Sequence, residues 1–306
     1  MIKYFKHRDI DKQRWDDCVN RSANALVYAN SFYLDVVSPG WDALVLNDYD
    51  AVFPLTHRKK YGIAYICQPP FTQQLGMFSK DENNFQLLEE FIHAIPSHFR
   101  YADIFLNSAL TEKLPSYKNS SIQMMTHHLD LKRPYSEIAQ NYSENLKRNI
   151  RKANFSALSI QKSISALEII ELFRTNRGRE INNVSNSDYV ILEKLLDALQ
   201  KRDLLTVLKA VNEKEETCAG AVFVHSHNSS IFLFSGNTEE GKTKGAMSLL
   251  IDYFIRNNSD NNAYLDFEGS VLPSLARFYK SFGSDEVVYL HLKLNRLPGI
   301  FRWLKK

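Results

Sequence analysis

Short apolar runs of strand period alternate along this chain with stretches whose apolar residues return every three or four positions, the mark of interleaved strands and helices. IKYF at residues 2–5 opens as a strand, and Asp9 to Arg21 has helical spacing. A second helix is expected over Ser31 to Val37, stopped by Ser38-Pro39-Gly40. ALVLND and AVFPLTHRK flank Asn47-Asp48-Tyr49-Asp50, which predicts a hairpin. IAYICQ and the stretch from Gln73 to Phe78 supply extended pieces. Apolar residues at 85, 87, 88, 91, 92 and 95 predict a helix from Phe85 to Ile95, and ADIFLN returns to strand.

The second half repeats that order. HHLDL reads as a strand, followed by helices over about 134–154, 165–178 and 187–202. LLTVLKAV, CAGAVFVHSH and SSIFLFSG form three consecutive strands, with Asn228-Ser229 turning between the last two. A helix over about 243–257, the strand AYLDFEG, the helix LPSLARFYKSF and the strand VVYLHLKL follow. The order strand, helices, meander, helix, strand thus occurs twice. It points to two related α/β domains on mixed sheets, residues 1–126 and 127–306.

Length agrees with two domains, since 306 residues at roughly 100–200 per domain is too much for one and short for three. Hydrophobic residues at 44% and charged residues at 24% exclude a disordered or fibrous chain. Lys+Arg 38 against Asp+Glu 35 leaves +3, so no overall field marks a nucleic-acid or membrane partner. Cys18, Cys67 and Cys218 have no CxxC spacing, which argues against a disulfide framework or a cysteine zinc site and fits a reducing compartment. The first residues lack an apolar core of signal-peptide type and no run approaches 18 apolar residues, so a cytoplasmic protein without a membrane span is expected.

One string carries chemistry on its face. Gly236-Asn237-Thr238-Glu239-Glu240-Gly241-Lys242-Thr243 matches GxxxxGK[ST], the phosphate-cradling pattern of nucleotide hydrolases. Against that, the preceding strand reads as an arm of an antiparallel meander, whereas such loops follow strands of parallel sheets. A loop entering a helix still presents unpaired backbone N–H groups and the positive end of the helix dipole. Gly236, Gly241, Gly245 and Ala246, with Lys242 and Lys244 for charge, therefore form a candidate seat for a donor's phosphates.

The residues that follow carry a family likeness. Tyr264-Leu265-Asp266-Phe267-Glu268-Gly269-Ser270, then Leu275-Ala276-Arg277-Phe278-Tyr279-Lys280-Ser281-Phe282-Gly283, resembles the closing signature of Fem-type transferases and their relatives in the GNAT (N-acetyltransferase) superfamily. Ser143 to Ala153 (SENLKRNIRKA) is similar to the basic helix that opens their second domain. The resemblance is best over residues 135–292 and implies two tandem GNAT-like domains, with the donor at the splayed central strands and the helix start after them. It also implies N-acyl transfer to an amine, from acyl-CoA or, as in Fem-type enzymes acting on a cell-wall precursor, from an aminoacyl-tRNA. Either donor would be a co-substrate, and no tightly bound cofactor or metal is expected. The usual acyl-CoA signature Q/R-x-x-G-x-G/A stands here as Lys242-Thr243-Lys244-Gly245-Ala246-Met247. A methionine in the last place crowds the backbone where a pyrophosphate approaches; an aminoacyl-tRNA donor has no need of that approach.

Acyl transfer to an amine needs a proton acceptor and a group that stabilises the oxyanion. Asp266 and Glu268, two apart at a strand end, are the candidate bases, and Tyr279 and Lys280 on the next helix are the candidate oxyanion or leaving-group donors. A structural salt bridge among Asp266, Glu268, Arg277 and Lys280 is the bland alternative. Gln73 and Gln74, in the proline-limited stretch 68–76, and Arg277 are candidates for holding the acceptor. Lys147, Arg148, Arg151 and Lys152 share a helix face that suits tRNA or an ordinary solvated surface. His127, His128, His225 and His227 read as satisfied strand histidines. The competing functions are a non-catalytic binding protein on a decayed transferase fold and the nucleotide hydrolase.

Overall fold

The hairpin expected around Asn47 forms, and it anchors the first of two compact units. A computed structural model describes residues 1–113, 122–163, 165–176, 185–261, 263–268 and 272–297. The units are Met1–Met125 with Val288–Lys306, and Thr126–Val287.

In the first unit, strand β1 (Ile2–Phe5) leads to helices α1 (Lys12–Asn20) and α2 (Ser31–Val37), then to β2 (Asp42–Leu46) and β3 (Ala51–Leu55). Asp11 starts α1 because its carboxylate accepts from the Gln13 and Arg14 amides, satisfying N–H groups that a helix start leaves over. The run AVFPLTHRK is two strands rather than one. It breaks at Thr56, and β4 (His57–Lys60) pairs with β5 (Ile63–Cys67) instead of continuing along β2. After β6 (Phe78–Ser79) and α3 (Leu88–His93), which a 3-10 turn over Glu82–Leu87 precedes, comes β7 (Phe99–Phe105). The sheet β1-β2-β3-β6 is antiparallel, whereas β5 and β7 run parallel. Phe53, Leu55, Ile66, Leu88, Phe91 and Ile104 fill the core between them.

The second unit begins at Thr126, within β8 (Ile122–Asp130). The helix expected over 134–154 is two, α4 (Tyr135–Gln140) and α5 (Glu144–Phe155), because Ser143 caps a new start by accepting from Leu146 N at 3.2 Å. Then come β9 (Ser159–Ser163), which the sequence reading missed, α6 (Leu167–Asn176) and α7 (Asn186–Gln200), the last begun by a reciprocal cap of Ser185 and Asp188. The meander β10 (Leu205–Val211), β11 (Thr217–Ser226), β12 (Ser229–Asn237) is as expected. It is followed by α8 (Glu239–Lys244), α9 (Ala246–Asn258), β13 (Tyr264–Asp266) and α10 (Pro273–Lys280). Strands lie in the order β8-β13-β12-β11-β10-β9, antiparallel except for β12 with β13. Helix α9 covers one face, where Phe254 stacks on Phe223 with ring centroids 3.8 Å apart.

The last strand, β14 (Asp285–Asn295), departs from the expected division at 126/127. From Val288 onward the chain belongs to the first unit, because β14 pairs antiparallel with β7 from His291↔Phe105 to Asn295↔Tyr101. Leu290 and Leu292 then enter the first unit's core. The reading of 127–306 as one domain gives way at this strand: backbone pairing of a single strand is decided by its partner's edge, which lies far away in sequence. Among the described residues, no helix is long and apolar enough to cross a membrane.

Candidate functional site

A cavity of about 310 Å³ in the second unit opens along β12. Its origin is a change of pairing. Among the described residues, β13 runs beside β12 only over Ser229–Ile231, against Tyr264–Asp266. From Phe232 to Asn237 the strand continues along the cavity, and Phe232, Ser235, Gly236 and Asn237 line it. A strand edge without a neighbour offers backbone donors and acceptors to whatever occupies the space. On its other side β12 carries a bulge: Val222 faces Phe234 and Phe223 faces Phe232, so Leu233 is extra. A bulge increases local twist and re-aims side chains, which suits a strand leaving its partner.

The floor is the turn between α8 and α9. Gly245 has φ +77°, ends the first helix and begins the second, so the single helix expected over 243–257 is broken there. A Cβ at Gly245 would also stand 2.7 Å from the Asn149 carbonyl oxygen of α5. Gly241 sits closer still, with Cys218 O and Asn237 Oδ1 each 2.3 Å from where its Cβ would be. At both glycines the chain itself makes the close approach, and both also line the cavity. Ala246 is fully buried in the core, and Gly245, Met247 and Ser248 bring the first turn of α9 to the cavity.

The phosphate-cradle string is correspondingly not a cradle. Residues 239–244 are helical, Thr238 Oγ1 caps them by accepting from Gly241 N at 2.9 Å, and Lys242 reaches back to Glu239 at 2.5 Å. Lys244 pairs with Glu240 at 2.7 Å, and that hydrogen bond raises its pKa. Lys242 lines the cavity rim; Lys244 does not line it.

The proposed catalytic residues separate. Tyr279 lines the cavity, 8% exposed, its ring parallel to Phe267 at 5.0 Å and edge-on to Phe232. Asp266 is buried and accepts from Thr126 Oγ1 at 2.5 Å and Glu268 N at 2.9 Å, with His128 Nε2 at 3.4 Å. Glu268 follows in a left-handed backbone conformation, φ +48°. Neither lines the cavity. Lys280 is 65% exposed at the side chain and meets Glu286 at 3.3 Å. It lines a second groove of about 450 Å³ with Arg277, Asn145 and Asn149. Neighbouring positions on a helix point about 100° apart, so Tyr279 and Lys280 face different hollows. Gln74 is spoken for within the first unit, its amide donating to Gln73 Oε1 at 2.7 Å while its oxygen accepts from Ser108 N at 2.7 Å. These bonds brace the loop that carries Gln73 and Gln74.

One histidine departs from its reading as satisfied, and one carboxylate was not singled out in the sequence. His225 is satisfied as expected, between Thr206 Oγ1 at 2.8 Å and Ser230 Oγ at 3.2 Å. His127 is not: both ring nitrogens are buried without a partner, edge-on to Tyr279 at 6.1 Å, and burial lowers its pKa. In the first unit, Asp103 accepts from Tyr101 OH at 2.9 Å and meets His291 Nε2 at 2.5 Å. The bond depends on β14 lying beside β7, a pairing that no local pattern announces. Burial alone would raise the Asp103 carboxyl, but the hydrogen bonds from His291 and Tyr101 outweigh it and hold the pKa below the usual range. A depressed carboxyl contributes stability above its unfolded value of about 4 and loses it as pH falls through the folded value. Urea denaturation at pH 5 and pH 3 is therefore expected to show Asp103→Asn losing less stability on acidification than the parent chain. Equal losses would remove Asp103 from the acid response.

No family model matches the chain, and no curated protein matches it in sequence. Solved structures do match it. FemX superposes with a TM-score of 0.70 at 13% identity, over 97% of this chain and 99% of that one. The fold is Fem-like. The C-terminal domain of a protein described as a lysylphosphatidylglycerol synthetase from Agrobacterium fabrum superposes at 0.57 with 11% identity, over 96% of this chain and 94% of that one. L-PGS from Bacillus licheniformis superposes at 0.55 with 12% identity, over 96% and 94%. The Fem-like fold accounts for the tandem GNAT-like α/β architecture that the closing signature implied. In it, the parting of β12 from β13 and the helix start at Gly245 make the cavity.

Proposed function

We propose that the protein is an N-acyltransferase that moves an aminoacyl group from an RNA carrier to an amine, with the acyl end of the donor in the cavity beside β12. The observation that carries this reading is that Phe232, Ser235, Gly236 and Asn237 of β12 line one cavity together with Tyr279 and the first turn of α9. The acceptor nitrogen attacks the ester carbonyl, and the C–N bond forms as the C–O bond to the ribose breaks. Backbone N–H groups of the strand edge face the oxyanion. The proton lost by the amine ends on the departing ribose oxygen, delivered by the Tyr279 hydroxyl. A peptide-like cell-wall precursor is the acceptor that the Fem resemblance suggests.

The choice of an RNA carrier rests on two further features. Met247 lines the cavity at the helix start, where the pyrophosphate of coenzyme A would need bare backbone. The cavity and the Arg277–Lys280 groove share Asn149 and Phe278 as walls, and α5 beside them carries Lys147, Arg148, Arg151 and Lys152. Lys147 pairs with Glu144 at 3.1 Å, while Arg151 and Lys152 are exposed, with Phe155, 90% exposed, one turn beyond Arg151. Cations with an aromatic ring beside them suit a nucleic-acid strand.

A thermal-shift series with charged tRNA, acetyl-CoA, longer acyl-CoAs and Mg-ATP tests the reading, since a ligand bound only by the folded state raises its melting temperature. Only charged tRNA is expected to do so. Replacing Arg151 and Lys152 together by Ala should weaken that binding and make the slope of log K against log salt shallower by about 1–2. A shift with acyl-CoA would replace the donor, and one with Mg-ATP would revive the nucleotide reading.

A further inference from the structure

The cavity beside β12 is a hollow of about 310 Å³ with largely apolar walls. Phe173, Phe232, Met247, Leu275, Phe278 and Tyr279 line its apolar part, and among the described residues no acidic one is in its lining. Lys242, the one charged residue of that lining among the described residues, is half exposed and tied to Glu239 at 2.5 Å. An apolar cavity of about 150 Å³ already holds a benzene ring, so this one has room for a large side chain together with the acyl carbon that bears it. A small acyl group would leave apolar wall facing water or a void, forfeiting contacts. An ammonium side chain would enter without a carboxylate to meet it, close to a lysine, which burial penalises heavily.

We propose that the acyl group transferred here carries a bulky apolar side chain, aromatic or long aliphatic, and that Met247 and Leu275 set the size limit. This rests on the reading of the cavity as the seat of an aminoacyl donor. Polar groups at the cavity wall, Asn149 and Asn237 among them, are placed for the donor's amino and carbonyl groups while the side chain fills the apolar part.

The experiment uses the full chain and four hydrolysis-resistant donor mimics, 3′-amino-3′-deoxyadenosine acylated with phenylalanine, leucine, alanine or lysine, titrated calorimetrically. A single methylene in an apolar pocket discriminates by about 10- to 200-fold, so the phenylalanyl and leucyl mimics are expected to bind at least roughly 100-fold more tightly than the alanyl and lysyl ones. Met247→Trp, which fills the space, should cost the phenylalanyl mimic at least about tenfold while sparing the alanyl one, and Met247→Leu should change neither. Leu275→Trp repeats the test at a second lining residue should the first variant lose its folded state, as thermal denaturation would reveal. Alanyl or lysyl mimics binding as tightly as the phenylalanyl one would overturn the size assignment and leave the aminoacyl reading standing. Binding by none of the four would overturn both.

Discussion

Tyr279→Phe is expected to lower the rate of acyl transfer by about 100- to 1000-fold, the usual cost of removing one hydrogen-bond donor aimed at developing charge. The variant keeps the ring. The parallel contact with Phe267 at 5.0 Å and the edge contact with Phe232 therefore remain, and the melting temperature should stay near that of the parent chain. Lys280→Met is the informative companion. Its ammonium is 65% exposed and paired with Glu286 at the surface, an interaction worth about 0–1 kcal/mol at most. Both rate and melting temperature should survive that change. The reverse outcome, an active Tyr279→Phe and a silent Lys280→Met, would move the chemistry from the cavity to the adjoining groove.

Gly241→Ala should unfold the second unit or come close to it. The added Cβ would lie 2.3 Å from the Cys218 carbonyl, which belongs to β11, and 2.3 Å from Asn237 Oδ1. Neither the strand nor the helix can retreat without breaking the meander, so a loss above about 4 kcal/mol is expected in urea denaturation. Lys242→Ala, one residue along, removes an exposed pair with Glu239 and should change stability by no more than about 0.5 kcal/mol. A phosphate-cradling loop predicts the opposite ranking, with Lys242 indispensable for nucleotide turnover and no ATPase left without it.

Much of the architecture could be read from periodicity and turn residues. The hairpin at Asn47, the meander from Leu205 to Asn237 and the amphipathic α5 are local features, set by residues within a few positions of one another. Tyr279 was singled out because the closing signature places it on the helix after a strand end, and the structure puts it in the cavity lining. What escaped was non-local or a matter of register. The bulge at Leu233 exists only relative to β11, and no pattern in SSIFLFSG separates a bulged strand from a regular one. His127 looks like any strand histidine until the fold turns its ring into a place without partners. The packing at Gly241 and Gly245, where Cys218, Asn237 and Asn149 come close, depends on residues distant in sequence and could not be read from the string itself.

The swapped allegiance of β14 sets an order of events for the nascent chain. Thr126–Val287 is one uninterrupted piece of sequence and can complete its pairing as soon as it has emerged. The unit made first cannot. Asp103 and His291, which bond across β7 and β14, are 188 residues apart, and a ribosome adding about 5–20 residues per second needs roughly 10–40 s to cover that distance. For that interval the older unit waits with β7 unpaired on one side and the places of Leu290 and Leu292 empty in its core. Residues made after the second unit thus close the unit made before it, and a chain stopped just short of Val288 would injure the earlier unit rather than the later one.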